Sequence, residues 1–505
     1  MRCAENRKRW LAMAVVGVCL AAGNARSQDV LANWPQWRGP LATGEAPKAD
    51  PPVQWSETKN VKWKVKLPGH GSSTPVIWES LVLIHAAIPV EPPAEKRDEP
   101  NGEAKDAAAE KPAAVPIRVA QQTQAPQQPP REEGPRRDDQ PRREDRPRPG
   151  GPGFGPPGGR GPGGRGGFGS VRPTKVHQFE VIALDRATGK ELWRTKVKEE
   201  LPHEGHHGDH GFSSHSPVTD GRHIVTCFGS RGLHCLDMQG NLLWSKDLGR
   251  MKTRAGFGEG SSPALHGNTI VVMWDHEGDD FIAAFDKLTG EELWRQERDE
   301  PTTWSTPLVV EHEGTAQVVT SATNRIRSYD LKTGDLIWEC AGLTSNAIPS
   351  PVHANGIVYA TTGYRGSALL AIKLGATGDL TDTDAILWKH NRSTPYVPSP
   401  LLYGNRLYFF KSNDATISCF DVTTGKALVD QERLSGLRGA YASPLGAAGR
   451  VYLVGRNGTA MVIENADKLE TLATNVLEEP IDASPAAVGK ELFLRGRESL
   501  YCIAE

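Results

Sequence analysis

A histidine-rich stretch, LPHEGHHGDHGFSSHSPVTDG at residues 201–221, holds the side chains best suited to chemistry. It contains five histidines, one glutamate and two aspartates. Neutral imidazoles joined by the carboxylate of Asp209 or Glu204 could bind zinc or copper. The candidate metal ligands are His203, His206, His207 and His210. Glycines at 205, 208 and 211 disfavour the helical turn that would bring pairs of these histidines together. The stretch is either a metal site or a solvated loop, and the choice depends on where the fold places it.

A repeated hairpin pattern defines the elements that position this loop. An apolar strand, an Asp-x-x-Thr-Gly turn and a strand ending on a large ring recur along the chain, which is typical of a β-hairpin. Four segments carry the full pattern: ALDRATGKELW (183–193), CLDMQGNLLW (235–244), AFDKLTGEELW (284–294) and SYDLKTGDLIW (328–338). A fifth, CFDVTTGKALV (419–429), keeps the spacing but ends in Val429 instead of tryptophan. We expect the tryptophans at 193, 244, 294, 338 and 388 to pack one repeat on the next.

A second marker is a Ser-Pro or Thr-Pro pair that opens an apolar strand, where proline needs no backbone donor. The pairs are Thr74-Pro75, Ser216-Pro217, Ser262-Pro263, Thr306-Pro307, Ser350-Pro351, Ser399-Pro400, Ser443-Pro444 and Ser484-Pro485. From Pro217 onward they follow at intervals of 41 to 49 residues. Four short strands per interval predict an all-β, eight-bladed β-propeller of four-stranded antiparallel blades. The N-terminal strand VKWKVKL (61–67) is predicted to pair with the C-terminal blade and close the ring.

These repeats resemble the tryptophan-docking repeats of PQQ-like eight-bladed propellers. That group includes quinoprotein alcohol dehydrogenases and BamB, the propeller subunit of the outer-membrane β-barrel assembly machinery. The chain as a whole, including NWPQWRGP at 33–40, is similar to the uncharacterised PQQ-like repeat proteins of planctomycete-type bacteria. The resemblance implies the propeller fold and leaves open both a scaffold and a quinone-dependent oxidoreductase.

The remaining segments bear on location. Residues 1–27 combine a basic start with a short apolar run and are predicted to be a secretory signal peptide. We expect an exported protein of the periplasm or cell envelope, and Val18 before Cys19 disfavours a lipid anchor. Residues 28–59 are an N-terminal extension, the propeller occupies 60–89 and 175–505, and 90–174 is predicted to be a disordered Pro/Gly/Arg-rich insertion. No stretch after the signal reaches the length of a transmembrane helix.

Two rings of residues are expected on one face, here called the top face, which carries the loop entering each marker and the second turn of each blade. The entry loops supply His70, His215, Glu259, Trp304, Asn346, Tyr396, Tyr441 and Asp482. The second turns supply Arg231, Arg325, Arg365, Arg456 and Arg497. The arginines either bridge blades through carboxylates or form a basic ring that binds an anion or a sugar. The histidine-rich stretch enters the second marker and therefore lies on the same face.

The function favoured by the sequence is a non-catalytic scaffold that binds a protein or a cell-envelope polymer through its top face and loops. A quinoprotein would need PQQ and calcium, and the alcohol-oxidising relatives also carry adjacent cysteines, which this chain lacks. We therefore expect no cofactor; PQQ with calcium, zinc or copper, and a small anion or sugar bound by the arginine ring are the alternatives. Net charge is −2 and no nucleic-acid motif occurs, so we expect no nucleic-acid partner. We also expect a monomer.

Overall fold

The computed structural model describes residues 30–90, 170 and 172–505. The predicted signal peptide and the body of the predicted disordered insertion lie outside these residues. The described chain forms eight antiparallel sheets of four strands, and one sheet gains a short fifth strand in parallel. The predicted eight-bladed propeller is therefore confirmed.

The strands follow the order expected from the markers. Blade 1 consists of Val76–Trp78, Leu81–Pro89, His177–Asp185 and Glu191–Glu200; blade 2 of Val218–Thr219, His223–Cys227, Leu233–Asp237 and Leu242–Lys246; blade 3 of Ala264–His266, Thr269–Trp274, Phe281–Asp286 and Glu292–Glu297; blade 4 of Leu308–His312, Thr315–Ser321, Ile326–Asp330 and Leu336–Cys340. Blade 5 consists of Val352–Ala354, Ile357–Thr362, Ala368–Lys373 and Ile386–His390; blade 6 of Leu401–Tyr403, Arg406–Phe410, Thr416–Asp421 and Ala427–Arg433; blade 7 of Leu445–Ala447, Arg450–Val454, Thr459–Glu464 and Thr471–Val476; blade 8 of Ala486–Val488, Glu491–Arg495, Ser499–Ile503 and Val61–Lys66. The 3₁₀ turns are Val30–Ala32, Gly229–Arg231 and Arg254–Gly256.

Ring closure joins the two ends of the propeller in one blade. Val61–Lys66 pairs antiparallel with Ser499–Ile503, as predicted. Its residues alternate in exposure, and Trp63 turns inward against Phe493 of the same blade. Because the N-terminal strand supplies the outer edge of blade 8, the last blade has the same four strands as the others.

Tryptophan docking locks the outer circumference. The indole nitrogen of Trp294 donates to the carbonyl of Leu331 in the next blade, at 2.9 Å. A Cβ on the turn residue Gly334 would lie 2.6 Å from that indole ring, and Gly334 has a φ of +80°. The turn therefore needs glycine for two reasons, namely its backbone conformation and the close approach of the ring. Four further tryptophans dock on the following turn in the same way: Trp63, Trp193, Trp244 and Trp388.

The joint between blades 4 and 5 departs from this pattern. Trp338 is fully buried and packs against blade 5, but its indole nitrogen donates to Gln317 of its own blade. The turn of blade 5 is longer, and its Gly378–Asp379 pairs in parallel with Trp338 and Glu339 at the outer edge of blade 4. This fifth strand replaces the docking turn that the five tryptophan-docked joints use.

A belt of hydroxyl groups, here called the marker belt, joins the blades at the inner circumference. The backbone nitrogen of Ser216 donates to the hydroxyl of Ser262, and Thr306 donates in the same way to Ser350, both at 2.9 Å. Seven such bonds link the eight markers in chain order from Thr74 to Ser484. The proline of each marker begins the inner strand, and the Ser or Thr before it supplies the acceptor that joins one blade to its neighbour.

The N-terminal extension crosses the central channel as a plug, here residues 33–46. Trp34 exchanges backbone hydrogen bonds with Ile77 in the inner strand of blade 1. Across the ring, the carbonyls of Thr43 and Gly44 accept from the inner strands of blades 6 and 7. The plug therefore reaches opposite walls of the channel, and unpaired groups of the inner strands find their partners in it.

Arg38 anchors the plug. Its guanidinium is buried and donates to the carbonyls of Thr43, Pro400 and Pro444. Burial lowers the pKa of Arg38 to about 9, so the side chain stays charged at neutral pH. This cation is held by carbonyl dipoles of two markers and of the plug itself, which fixes the plug at the level of the marker belt.

The core consists of apolar clusters between neighbouring blades. The five cysteines of the described chain are free thiols, and all are buried. Burial raises the pKa of Cys227 to about 12 and that of Cys340 to about 11, so both remain protonated and pack as small apolar groups. Among the described residues there is no helix long and apolar enough to span a membrane.

Candidate functional site: a pocket at the channel mouth

The plug turns the top end of the channel into a blind pocket of about 370 Å³, here called the mouth pocket. Trp37 of the plug and marker hydroxyls line it at the level of the belt, and aromatic side chains from the entry loops and second turns line it above. The aromatic members are Trp37, Phe257, Trp304, Tyr364, Tyr396 and Tyr441. This mixture of apolar rings and a few polar groups is typical of small-ligand sites.

Four of the eight predicted entry-loop residues line the mouth pocket, namely Trp304, Tyr396, Tyr441 and Asp482. Trp304 is fixed by a 2.7 Å hydrogen bond from its indole nitrogen to the carbonyl of Gly258. Tyr396 stacks on Tyr364, with ring centroids 4.9 Å apart. Both rings are therefore held in place by neighbours before any ligand arrives.

The structure places the other four entry-loop residues away from the mouth pocket. His70 is exposed beside a neighbouring cavity of about 290 Å³. His215 is buried, and burial lowers its pKa to about 3. Glu259 is buried and accepts from Ser230 and Arg231 of blade 2. Asn346 is buried and accepts from Arg254.

The histidine-rich loop is pinned to its surroundings by backbone contacts of its imidazoles. His203 bonds the carbonyl of Met251, His206 that of His207, and His210 that of Glu259, at 2.7 to 3.0 Å. His207 packs edge-on against Phe257. In the part of the chain that the structure describes, no three His, Cys, Asp or Glu side chains are grouped to hold a metal ion.

The same loop carries Asp209 across the top face to blade 7. Its carboxylate accepts from Arg456 at 2.9 Å and from the hydroxyl of Tyr441 at 3.1 Å. Arg456 also binds Asp482 through two nitrogens, at 2.6 and 3.2 Å, and lies over the Tyr441 ring. The Arg456 guanidinium is the main cause that holds the pKa of Asp209 below its usual value. One arginine thus holds two carboxylates in place at the pocket wall.

Three of the five predicted ring arginines form carboxylate bridges between connections. Arg456 makes the bridges just described. Arg231 is buried against Glu259 at 3.0 Å and Glu200 at 3.4 Å. Arg325 binds Asp379 of the blade 5 insertion at 2.9 Å.

The other two ring arginines, Arg365 and Arg497, are exposed, and no described carboxylate pairs with them. Arg497, Arg456 and Arg438 line a separate, open cavity of about 450 Å³. The arginines therefore do not encircle the channel, and the mouth pocket itself has no Lys or Arg in its described lining.

Sequence reasoning missed Trp37, Phe257, Tyr364 and Asp209 as members of one pocket. Trp37 belongs to the NWPQWRGP segment, in which two tryptophans and two prolines within eight residues are typical of a packed element. Phe257 precedes the third marker by six residues and Tyr364 lies in a second turn, beside positions that were selected. Asp209 was considered only as a metal ligand, because nothing local shows that its loop reaches blade 7.

The chemistry of the pocket does not fit PQQ. That quinone carries three carboxyl groups, and its binding requires cations or many donors facing the ring system. The charged side chains among the described lining residues are Asp209 and Asp482, both anionic. No step of a quinone reaction is therefore assigned to these residues.

Comparison with known proteins agrees with the repeat analysis. Residues 177–431, which run from the third strand of blade 1 to the fourth strand of blade 6, match the family described as outer membrane protein assembly factor BamB. A protein named outer membrane protein assembly factor BamB from Burkholderia pseudomallei (strain K96243) is 23% identical over 254 residues. The match covers 50% of this chain and 60% of that relative, less than two thirds of its length.

Solved structures with similar coordinates include BamB from Moraxella catarrhalis, with 13% identity and a TM-score of 0.47 over 67% of this chain and 95% of that chain. The computationally designed Ika8 protein has 15% identity and a TM-score of 0.46, covering 67% of this chain and 98% of that chain. The narrower resemblance to planctomycete-type proteins stays a prediction. Because the family match spans half of the sequence, this chain belongs to the PQQ-like family described as outer membrane protein assembly factor BamB.

Proposed function

We propose that the protein is a propeller scaffold of outer-membrane protein assembly that acts in the periplasm and binds an extended polypeptide. The observation that carries this proposal is the family match over residues 177–431. The role in assembly is that of the named relatives, and its extension to this chain is the proposal. We further propose that a single copy of the chain forms the scaffold.

The architecture supports a scaffold because the ring is held at both circumferences. Tryptophan docking ties the outer strands, and the marker belt ties the inner strands. The plug adds contacts from one side of the channel to the other. A ring restrained in this way presents its edges in a fixed geometry, which lowers the ordering cost when a partner binds.

The outer edges of blades 1 to 3 supply the surface. Two other blades already carry an extended segment of the same chain at this edge: Gly378–Asp379 lies along blade 4, and Ser56 bridges to Val476 of blade 7, both in parallel. In the described chain, blades 1 to 3 have four strands and no such segment. An uncovered strand edge can pair with an extended polypeptide by β-augmentation.

Exposed leucines mark the same edges. Leu192, Leu243 and Leu293 lie in the outer strands of blades 1, 2 and 3 and are 52%, 49% and 52% exposed. Each precedes a docking tryptophan, so its side chain points away from the ring that locks the joint. Backbone groups for pairing and apolar side chains for packing therefore occur together on three consecutive blades.

Site-specific photo-crosslinking in the native envelope tests the proposal. A benzophenone amino acid is placed at Leu243, at the top-face residue Arg497 and, as the control, at Glu313. Glu313 is exposed in the first turn of blade 4, on the face opposite the top face. The group at Leu243 should capture a polypeptide partner. Capture of outer-membrane proteins or assembly components at Leu243 but not at Glu313 is expected. Capture at the top-face residue Arg497 alone would move the partner site to the top face. Absence of any polypeptide adduct at both Leu243 and Arg497 would contradict the scaffold role.

A further inference from the structure

We propose that the mouth pocket is a binding site for a neutral carbohydrate, such as the end of an envelope glycan. The site is separate from the blade edges of the proposed scaffold, so either proposal can fail without the other. Its volume of about 370 Å³ lies in the range of small-ligand pockets and has room for about one or two sugar rings.

Aromatic rings provide the apolar faces that such a ligand needs. Trp304 and Tyr396 are held by the Gly258 carbonyl and by Tyr364, respectively, and Trp37 lines the pocket from the plug. A pyranose has C–H groups on both faces of its ring, and these pack on aromatic side chains with little loss of rotamer freedom, because Trp and Tyr have few torsions.

The charged groups of the wall are fixed hydrogen-bond acceptors. Asp209 and Asp482 both line the pocket, and both bind Arg456, which faces the neighbouring cavity. Because one guanidinium holds both carboxylates, they present oriented acceptors for hydroxyl groups and one net negative charge remains. An organic cation would have to compete with Arg456 for these carboxylates, and an anion would find no Lys or Arg among the described lining residues.

The imidazole of His210, which also lines the pocket, is consistent with this arrangement. Burial lowers the pKa of His210 to about 4, so it is neutral at pH 7. Its Nε2 bonds the carbonyl of Glu259 and its Nδ1 bonds the hydroxyl of Ser214. The ring adds no charge that would attract an ionic ligand.

Donors come from the marker belt. The hydroxyl oxygens of Ser216, Ser262, Thr306 and Ser484 accept backbone N–H groups, and all four side chains line the pocket. An accepting hydroxyl still has its own proton to donate. Acceptors in the wall and donors in the belt thus match the alternating donor and acceptor character of sugar hydroxyls.

Calorimetric titration of the full-length exported protein tests the site, with cellobiose, maltose and N,N′-diacetylchitobiose as probes. We expect at least one probe to bind with a Kd on the order of 1 mM, which is common for a single small ligand in an open pocket. Tyr396→Ala and Asp209→Asn should each weaken binding about tenfold, through lost stacking and a lost charged acceptor. Tyr403→Ala removes a ring from the last residue of the inner strand of blade 6, outside the pocket, and should leave the Kd unchanged.

The outcomes separate the ligand classes, with the melting temperature of each variant confirming that it is folded. Failure of all three saccharides to bind the folded wild-type protein overturns the proposal, as does a Kd that Tyr396→Ala leaves unchanged. L-arginine amide and inorganic phosphate are titrated in parallel. If either binds while the saccharides do not, and Tyr396→Ala abolishes that binding, the pocket takes an ion and the carbohydrate assignment is wrong.

Discussion

Neighbouring blades are joined at both the outer and the inner circumference of the propeller, but the two sets of joints use different chemistry. At five joints of the outer circumference, a tryptophan of one blade lies on a turn glycine of the next, and its indole nitrogen donates to a carbonyl of that turn. At the inner circumference, the blades are joined by small hydroxyl groups, and the plug occupies the space that the ring leaves open. The outer joints repeat with the period of the sequence, whereas the plug is a single segment that meets different blades in different ways.

The difference shows where variation is tolerated. The joint between blades 4 and 5 lacks the docking turn, and the chain compensates with Gln317 and a fifth strand. One outer joint can therefore be replaced locally. Arg38 has no such substitute, because it binds two distant markers and the plug at once.

Removal of Arg38 should have the largest effect on stability. Arg38→Ala leaves the buried carbonyls of Thr43, Pro400 and Pro444 without their charged donor, and we expect a loss of about 4 kcal/mol in the free energy of unfolding. Chemical denaturation of the purified variant measures it. Arg392→Ala, which breaks an exposed ion pair with Asp430, is the control and should change stability by less than about 1 kcal/mol. Equal effects would mean that the plug contributes no more than a surface contact.

A matched pair of glycine substitutions isolates the outer joint. Gly334 and Gly314 have φ values of +80° and +81°, but a Cβ on Gly334 would meet Trp294 at 2.6 Å, while nothing lies within 4 Å of one on Gly314. Gly314→Ala should cost about 1 kcal/mol for its backbone conformation alone. Gly334→Ala should cost about 3 kcal/mol, because the docked ring must also move. Thermal unfolding of both variants provides the comparison, and equal losses would show that the indole contact is not what requires glycine.

Acidification should weaken the inner region through His215. Burial lowers its pKa from 6.5 to about 3, so the unfolded chain binds a proton that the folded chain excludes between these values. Stability therefore falls as the pH drops below 6.5, by about 2 kcal/mol from this group at pH 5. His215→Gln should make the dependence of unfolding free energy on pH between 7 and 5 shallower by about this amount, while His210, whose pKa is lowered to about 4, keeps contributing. Ser435→Ala changes an exposed residue that does not titrate and should leave the slope as it is in the wild type.

The fold was predictable because its signals are local and periodic. Tryptophan, the turn glycine and the marker proline each occur where a backbone or packing constraint favours that residue type. The number of blades can therefore be inferred from the number and spacing of these residues. The strand containing Trp63 was recognisable by the same pattern, and its pairing with the last blade followed from the missing outer strand. The departure at Trp338 was not predictable from the repeat pattern. The length of the turn in the following blade decides whether the indole nitrogen can donate to a carbonyl of that turn.

The mouth pocket could be predicted only in part, because its members meet through long-range contacts. Tyr441 and Asp482 were selected from their distance to a marker, which sets their height above the channel. Asp209 reaches Arg456 across 247 positions of sequence, and Trp37 enters from the plug. No local pattern reports either encounter. Glu259 was predicted to lie at the channel mouth, but it does not line the mouth pocket. Its carboxylate instead binds Arg231 in the second turn of blade 2.

The smallest predicted effect concerns a single link of the marker belt. Ser350→Ala removes the hydroxyl that accepts the backbone N–H of Thr306, and the buried donor should cost about 1 kcal/mol. Ser435 is exposed, and Ser435→Ala should change stability by less than about 0.5 kcal/mol. Hydrogen exchange of the Thr306 amide makes the measurement specific, because a lost acceptor speeds exchange at that position before it alters global unfolding. If the Thr306 amide keeps its protection in Ser350→Ala, the strand pairing alone holds the inner circumference, and the hydroxyl groups of the belt remain free for a ligand.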